Sequence, residues 1–353
     1  LSTERQRRKV QLPRLSGYSR SRVRMKFRVL SSLRSFSRST SFTLAGGVAF
    51  LLVMAGTSFF VQKVFAQVPA PRFREATVLV PRGSIYYKVM GKGQPIILVH
   101  GGPGLDHRYM FQAFQDLAKD YRVIFYDQRG TGASQCKLSD RSVTIEQFVE
   151  DLDAVRRHLG LRRINLLGHS WGGLLAVHYT VRHPQNVRSL MLANSSGLTG
   201  ESQKAFFENL DSMRTPEDKE ELENLKGKSD QESLQRHNEL YMRPYFYDSS
   251  KIALLSYEPS KLTAENNERV RTLIWRQLLD YDLRPQASRL HIPTLVIHSD
   301  RDVIPLEVAE ETAETIPRSE LVVMQDVGHY SFIEDPTEFF KEIRKFLKTV
   351  HGP

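Results

Sequence analysis

The ten residues Asn165-Leu166-Leu167-Gly168-His169-Ser170-Trp171-Gly172-Gly173-Leu174 constrain the fold of this chain more than any other stretch. A Gly-x-Ser-x-Gly core follows a short apolar run and precedes a segment of helical period. That context describes a serine on a sharp strand-to-helix turn, with its hydroxyl lifted out of a sheet. Crowding at such a turn calls for residues without side chains, and Gly168, Gly172 and Gly173 supply them around Ser170. Five loosely specified positions also arise by chance in 353 residues, so the flanking elements decide.

Ile164-Asn165-Leu166-Leu167 suits a buried parallel strand. Ile96–Val99, Val123–Tyr126, Leu190–Leu192 and Thr294–Ile297 are equally short and apolar, and they alternate with segments of helical period. The alternation predicts an α/β domain with a mainly parallel sheet. One helix is legible in detail: Ile145, Phe148, Val149, Leu152, Val155 and Leu159 share a face, Thr144 and Gln147 have capping-box spacing, and Gly160 closes it.

The segment His100-Gly101-Gly102-Pro103-Gly104 follows the strand at Ile96. A glycine-rich loop there can present a bare backbone N–H to an oxyanion, which assigns the hole to the N–H groups of Gly102 and Trp171. His100, at the strand end, suits a residue that props the loop. In this fold the acid and then the base follow the nucleophile. His298-Ser299-Asp300-Arg301-Asp302 and Val327-Gly328-His329-Tyr330 satisfy that order. His329 is the expected base and Asp302 its orienting acid, while the competing Asp300 reads as a turn former.

Taken with Asp127-Gln128-Arg129-Gly130-Thr131-Gly132-Ala133-Ser134, these motifs resemble the proline iminopeptidase branch of the α/β-hydrolase fold, including its tricorn-interacting-factor-like members. The similarity runs from about Thr77 to Val350. It implies cleavage of an amino-terminal residue, often proline, from a short peptide, without metal or cofactor. The chain departs from many relatives at Ser299, where they carry glycine.

Between Leu198 and Leu290 the strand–helix alternation stops, and the stretch reads as an inserted helical cap. A peptidase that trims free amino termini needs a cap carboxylate to pair with the substrate ammonium. Glu232, Glu239 and Glu268 are candidates by position. Tyr241, Tyr245, Phe246 and Tyr247 around Pro244 fit either an apolar wall for a proline-sized side chain or packing within the cap.

Residues 1–41 hold twelve Lys or Arg against one acid, Glu4, a charge of +11; the whole chain carries +10, so the rest sums to −1. The high pI of about 9.6 is therefore a property of the leader, and nothing in the body suggests nucleic acid. Phe42–Val61 is uncharged and long enough to span a membrane, as a single hydrophobic helix with the enzyme on the extracytoplasmic side. Val64-Phe65-Ala66 offers a cleavage pattern for an exported form, the Arg- and Ser-rich leader also fits organellar transit, and Met25 opens a shorter leader. The expected organisation is a basic, disordered leader 1–41, membrane or signal-anchor helix 42–61, linker 62–76, core 77–198, cap 199–290 and core 291–353. The lone Cys136 permits no intrachain disulfide, and no histidine or carboxylate pair has metal-ligand spacing.

The sequence thus predicts a serine hydrolase of the α/β-hydrolase fold acting on a small peptide or another small acyl substrate. The rivals are an esterase or amidase indifferent to a free amine and, from another class, a catalytically silent binding protein.

Overall fold

The computed structural model describes residues 22–25, 73–255 and 261–352. Ten strands form one sheet: β1 (Arg22–Met25), β2 (Phe73–Val80), β3 (Gly83–Met90), β4 (Pro95–Val99), β5 (Arg122–Tyr126), β6 (Gln135–Cys136), β7 (Ile164–His169), β8 (Val187–Ala193), β9 (Thr294–Ser299) and β10 (Ser319–Met324). The order is β1-β10-β9-β8-β7-β4-β5-β3-β2, with β6 against β3. Pairing is parallel from β1 through to β5, and antiparallel only where β3 joins β5, β2 and β6.

Between the strands run α1 (Arg108–Phe114), α2 (Ile145–His158) and α3 (Trp171–Arg182), and after β9 come α9 (Leu306–Thr315), α10 (Ser331–Glu334) and α11 (Pro336–His351). Adjacent strand residues point to opposite faces, so each central strand serves two cores. Ile97, Val99 and Leu166 join residues of α2, α3 and α9 on one face; Ile96, Leu98 and Leu167 join those of α1 and α11 on the other. Such double coverage explains the continuous apolar runs. The predicted helix at Ile145 forms, with the Thr144 side chain accepting the Gln147 N–H and Gly160 at a φ of 66° beyond its end. The capping box is half-made, because the Gln147 side chain donates to Asp151 instead.

Register places Val99 beside Gly168, Gly168 beside Leu192, and Ala193 beside Ile297. The carboxyl ends of β4, β7, β8 and β9 are therefore level, and the loops carrying His100, Ser170, Asn194 and Asp302 emerge along one edge, where open α/β sheets hold their ligands.

Among the described residues, five α-helices fill the interval between β8 and β9: α4 (Gly200–Ser212), α5 (Pro216–Leu225), α6 (Gln231–Met242), α7 (Lys261–Gln277) and α8 (Arg284–Ala287). Thr199, Thr215 and Asp230 start the first three, each side chain accepting an N–H three residues on. The two ends of the insertion are zipped together, Gly200 N–H donating to Tyr281 O at 2.9 Å and Leu283 N–H to Leu198 O at 2.8 Å.

The sheet begins earlier than the boundary expected at Thr77: Phe73–Ala76 already pair with Tyr87–Met90. Charge in Phe73-Arg74-Glu75-Ala76 hides the strand from a hydropathy reading, yet Phe73 meets Phe111 edge-on at 6.0 Å and Lys88 Nζ lies 4.2 Å from its ring centre. Within the basic leader, the backbone of β1 pairs with β10, contrary to the expectation of a disordered leader. The apolar stretch 42–61 and the cleavage pattern at Ala66 lie outside the described residues. Among the described residues, no helix is long and apolar enough to cross a membrane.

Candidate active site

Ser170 sits between β7 and α3 at φ 57° and ψ −128°, the left-handed, strained geometry of an elbow. The glycines around it are obligatory. A Cβ on Gly168 would lie 2.2 Å from Gly172 O, and one on Gly172 would lie 2.1 Å from Val99 O. Trp171 opens α3, so its N–H has no intrahelical acceptor and stands at the positive end of the helix. The Trp171 ring is buried against Phe148, and its Nε1–H donates to Gln128 Oε1 at 2.8 Å.

The glycine loop is apposed to this elbow: a Cβ on Gly101 would come 3.1 Å from Ser170 Cβ. Gly102 has a φ of 127°, open to glycine alone. His100 props the loop as expected. It lies fully buried, its Nδ1–H donates to Gly101 O at 2.9 Å, and its Nε2 accepts the Gln128 N–H at 3.0 Å. Burial lowers its pKa below the usual histidine value and favours the neutral ring.

On the other side, His329 and Asp302 meet. His329 Nδ1–H donates to Asp302 Oδ1 at 2.8 Å, and both side chains are buried. Asp302 also accepts the Asn194 Nδ2–H at 2.7 Å and the Ile304 N–H at 2.9 Å. Burial alone would raise the Asp302 pKa; His329, His298 and the Ile304 N–H outweigh it and hold the carboxyl below its ordinary range. Asp300 faces elsewhere, its Oδ1 accepting the Asp326 N–H at 2.8 Å in a turn between loops.

Residues that sequence reasoning does not reach join these parts. Asn194, at a φ of 46°, donates to Asp302 and to Ser299 Oγ and accepts from Ser331 Oγ at 2.6 Å. The Ser299 hydroxyl thereby joins the network that holds Asp302. Tyr109 OH accepts the Gly101 N–H at 2.6 Å and donates to His169 Nδ1 at 2.8 Å, and His169 Nε2–H donates to His329 O at 3.0 Å. The residue before Ser170 thus ties the glycine loop to the histidine loop, with the His169 and His329 rings 4.7 Å apart. Burial, then repulsion from His329, lowers His169 to about 3, so it is a neutral spacer. The only hint of Asn194 in the sequence is its place just after a strand, and nothing local marks Tyr109.

The cap closes over this edge. Tyr245 stands 5.5 Å from the His329 ring, and its carbonyl accepts the His329 N–H at 2.8 Å. The buried Glu334 carboxylate accepts N–H groups from Gly328 at 2.6 Å and Asp248 at 2.8 Å, clasping the cap segment to the histidine loop. Of the expected aromatic cluster, Tyr241 stacks on Tyr245 and Phe246 on Tyr330, while Tyr247 is exposed. A cleft of 2310 Å³ runs between the glycine loop at Pro103 and Gly104 and the cap at Tyr241. Glu239 and Glu268 line it and Glu232 does not. Glu239 lies 3.3 Å from Arg236, and Glu268 pairs with Arg271.

The donor atoms of Asp106, His107 and Asp127 lie within 4.8 Å of one another, a clustering that sequence spacing does not reveal. The protein itself engages them: Asp106 grips the Arg108 guanidinium, and Asp127 accepts from His107 Nδ1 at 2.6 Å and the Ala133 N–H at 2.8 Å. This network shapes the turn that follows β5. Half-buried Cys136 donates to Ser84 O, and burial raises its thiol pKa, away from nucleophilic use.

Comparison with known proteins agrees with this geometry. Residues 94–336 match the family described as alpha/beta hydrolase fold. Proline iminopeptidase of Lactobacillus helveticus is 30% identical over 285 residues, covering 74% of this chain and 93% of its own. The Saccharolobus solfataricus proline iminopeptidase is 29% identical over 290 residues, covering 76% and 90%. Among solved structures, a thermophilic esterase from Thermogutta terrifontis superposes with a TM-score of 0.59 at 26% identity, over 79% of this chain and 100% of that one. Proline iminopeptidase of Mycobacterium smegmatis shares the fold with a TM-score of 0.61 at 23% identity, over 78% and 98%. This chain is therefore a hydrolase belonging to the α/β-hydrolase fold family, in its proline iminopeptidase branch.

Proposed function

We propose that the chain is a serine hydrolase that forms an acyl-enzyme and releases amino-terminal residues, proline among them, from short peptides. The observation that carries this reading is the buried Asp302–His329 pair bound to an elbow whose Ser170 is held in a left-handed conformation. Ser170 Oγ attacks the scissile carbonyl carbon as His329 Nε2 takes its proton. The carbonyl electron pair moves onto oxygen, where the N–H groups of Gly102 and Trp171 receive the charge. Collapse breaks the C–N bond, and the amine leaves with the proton from His329. Water then gives a proton to His329 and attacks the ester, and Ser170 departs with that proton restored. Asp302 keeps the imidazole in the tautomer that presents a bare Nε2 and stabilises the imidazolium.

The test is hydrolysis of aminoacyl arylamides, proline included, beside short acyl esters, by the chain and its Ser170→Ala variant. Turnover of free-amine proline substrates that disappears with Ser170 supports the reading; turnover of esters alone sinks the peptidase part. A second reading, an esterase or amidase with no need of an amine, is favoured by Glu239 and Glu268, which already face cations. Hydrolysis of a proline amide but not of its amino-blocked form separates the two. A silent binding protein would resist a serine-reactive fluorophosphonate, which should label Ser170 here. In this proposal the apolar stretch 42–61 behind a strongly basic leader carries the hydrolase to the extracytoplasmic side of a membrane, an arrangement that leaves Arg22–Met25 on the other side and so parts β1 from β10. Protection of the catalytic part from protease added to the outside of spheroplasts would refute that placement.

A further inference from the structure

The charges along the cleft are almost all matched. Arg108, Lys219, Lys226 and Arg271 hold Asp106, Asp211, Glu223 and Glu268, and Lys88 reaches Glu75 at 3.6 Å. Arg214, just past α4, lines the same cleft and has no carboxylate partner among the described residues. Its Nη2 makes one long contact, 3.5 Å, with Tyr241 O. Its Nε is shut off from water without an acceptor. The guanidinium lies 5.3 Å from the Tyr241 ring centre, so it is held in place by stacking rather than by an anion. An unmatched guanidinium charge lining a cleft calls for an anion, and a carboxylate is the one whose two oxygens suit its planar fork.

The position fits the proposed chemistry. Tyr241 stacks on Tyr245 at 6.2 Å and Tyr245 faces His329 at 5.5 Å. With the 5.3 Å step from Arg214, these contacts bound the span from guanidinium to His329 at about 17 Å. An extended chain covers that span in roughly five residues. We propose that Arg214 anchors the carboxyl-terminal carboxylate of a short peptide whose amino-terminal bond lies at Ser170. The inference rests on the serine hydrolase reading and deepens it: the enzyme would select peptides by the free acid at their far end, over a length of a few residues.

The test separates the anchor from the chemistry. In the full chain carrying Ser170→Ala, calorimetry compares binding of a pentapeptide with amino-terminal proline as the free acid and as its amide. The acid should bind about 10- to 100-fold more tightly. Adding Arg214→Gln should close that gap, Arg214→Lys should leave a severalfold remnant, and Lys219→Gln should leave the gap as it was. Equal affinities with Arg214 intact, or a gap that survives Arg214→Gln in a protein shown to be folded by its thermal transition, would overturn the proposal. If Arg214→Gln does not fold, the lysine variant takes its place, and a gap that Arg214→Lys leaves undiminished would overturn the proposal equally. Absence of Ser170-dependent hydrolysis alongside an intact gap would instead remove the hydrolytic reading and leave the anchor standing.

Discussion

Replacing Arg129 by methionine should cost this protein a large share of its stability, by an amount that depends on pH. Arg129 and Asp151 lie between the turn after β5 and helix α2, with side chains 0% and 2% exposed. Arg129 Nε and Nη2 donate to the carboxylate at 2.8 and 2.6 Å, and Nη1 donates to Pro81 O at 3.1 Å. Burial raises Asp151 to about 6 even with the guanidinium beside it. Without Arg129 the carboxylate keeps, among the described residues, only the Gln147 side chain, 3.2 Å away. A buried charge stripped of its partner costs about 3–5 kcal/mol, against a total stability of about 5–15 kcal/mol. The sign of the pH dependence follows from the raised pKa. Folded Asp151 binds its proton more tightly than unfolded Asp151, so its contribution is complete below the ordinary value of 3.8 and is lost as pH rises through about 6. Loss of Arg129 raises the folded pKa further, and the deficit of the variant should widen between about pH 5 and about pH 8. Arg129→Met with Asp151→Leu should recover most of it, since no lone charge remains. Urea unfolding of the three proteins at both pH values measures this. A double variant no more stable than the single one, or a deficit indifferent to pH, would refute the reasoning.

Asp302→Asn should lower kcat roughly 1,000- to 10,000-fold by presenting the wrong tautomer of His329, whereas Asp300→Asn should stay within about twofold; arylamide or ester turnover distinguishes them. Gly172→Ala places a methyl 2.1 Å from Val99 O and 2.5 Å from His100 O, both backbone, and should yield little soluble protein. Tyr109→Phe strands the Gly101 N–H and His169 Nδ1 in a buried site and should cost about 1–3 kcal/mol in urea unfolding. His169, lowered to about 3, contributes stability that is present above its ordinary 6.5 and lost as pH falls towards 3. Unfolding measured downward from neutrality should show that loss, several kcal/mol in size, and His169→Gln should blunt it.

The strands that carry the site were legible because burial on both faces writes itself into a sequence as short apolar runs. Ile96–Val99 and Ile164–Leu167 are examples. Ser170 was legible because backbone crowding admits only glycine nearby, and that exclusion is local. Asp302 and Asp300 were separable by depth in one loop. Asn194, Tyr109 and Glu334 were not legible, because each acts on a partner far along the chain: Asn194 on Asp302, Tyr109 on His169. Hydrogen bonds of that kind leave no period in the sequence. Strand β2 was missed from Phe73 to Ala76 because its pairing is antiparallel at the sheet margin, where charge is tolerated. The cap was visible as a break in alternation. Which of its carboxylates faces the cleft was not, since Glu232 and Glu239 share one helix and only its orientation puts Glu239 on the cleft side.

The backbone of His329 hangs from the carbonyl of Tyr245, and Glu334 grips the residues on both sides of that joint. The position of this cap segment and the readiness of the base for reaction are therefore mechanically coupled. A swing of residues 245–248 away from the sheet edge would draw the imidazole along with it, so a gaping enzyme would be a disarmed one. On the peptidase reading proposed above, large proteins admitted by such a swing would meet no working base, and indiscriminate digestion would be prevented by the joint itself rather than by the width of the entrance.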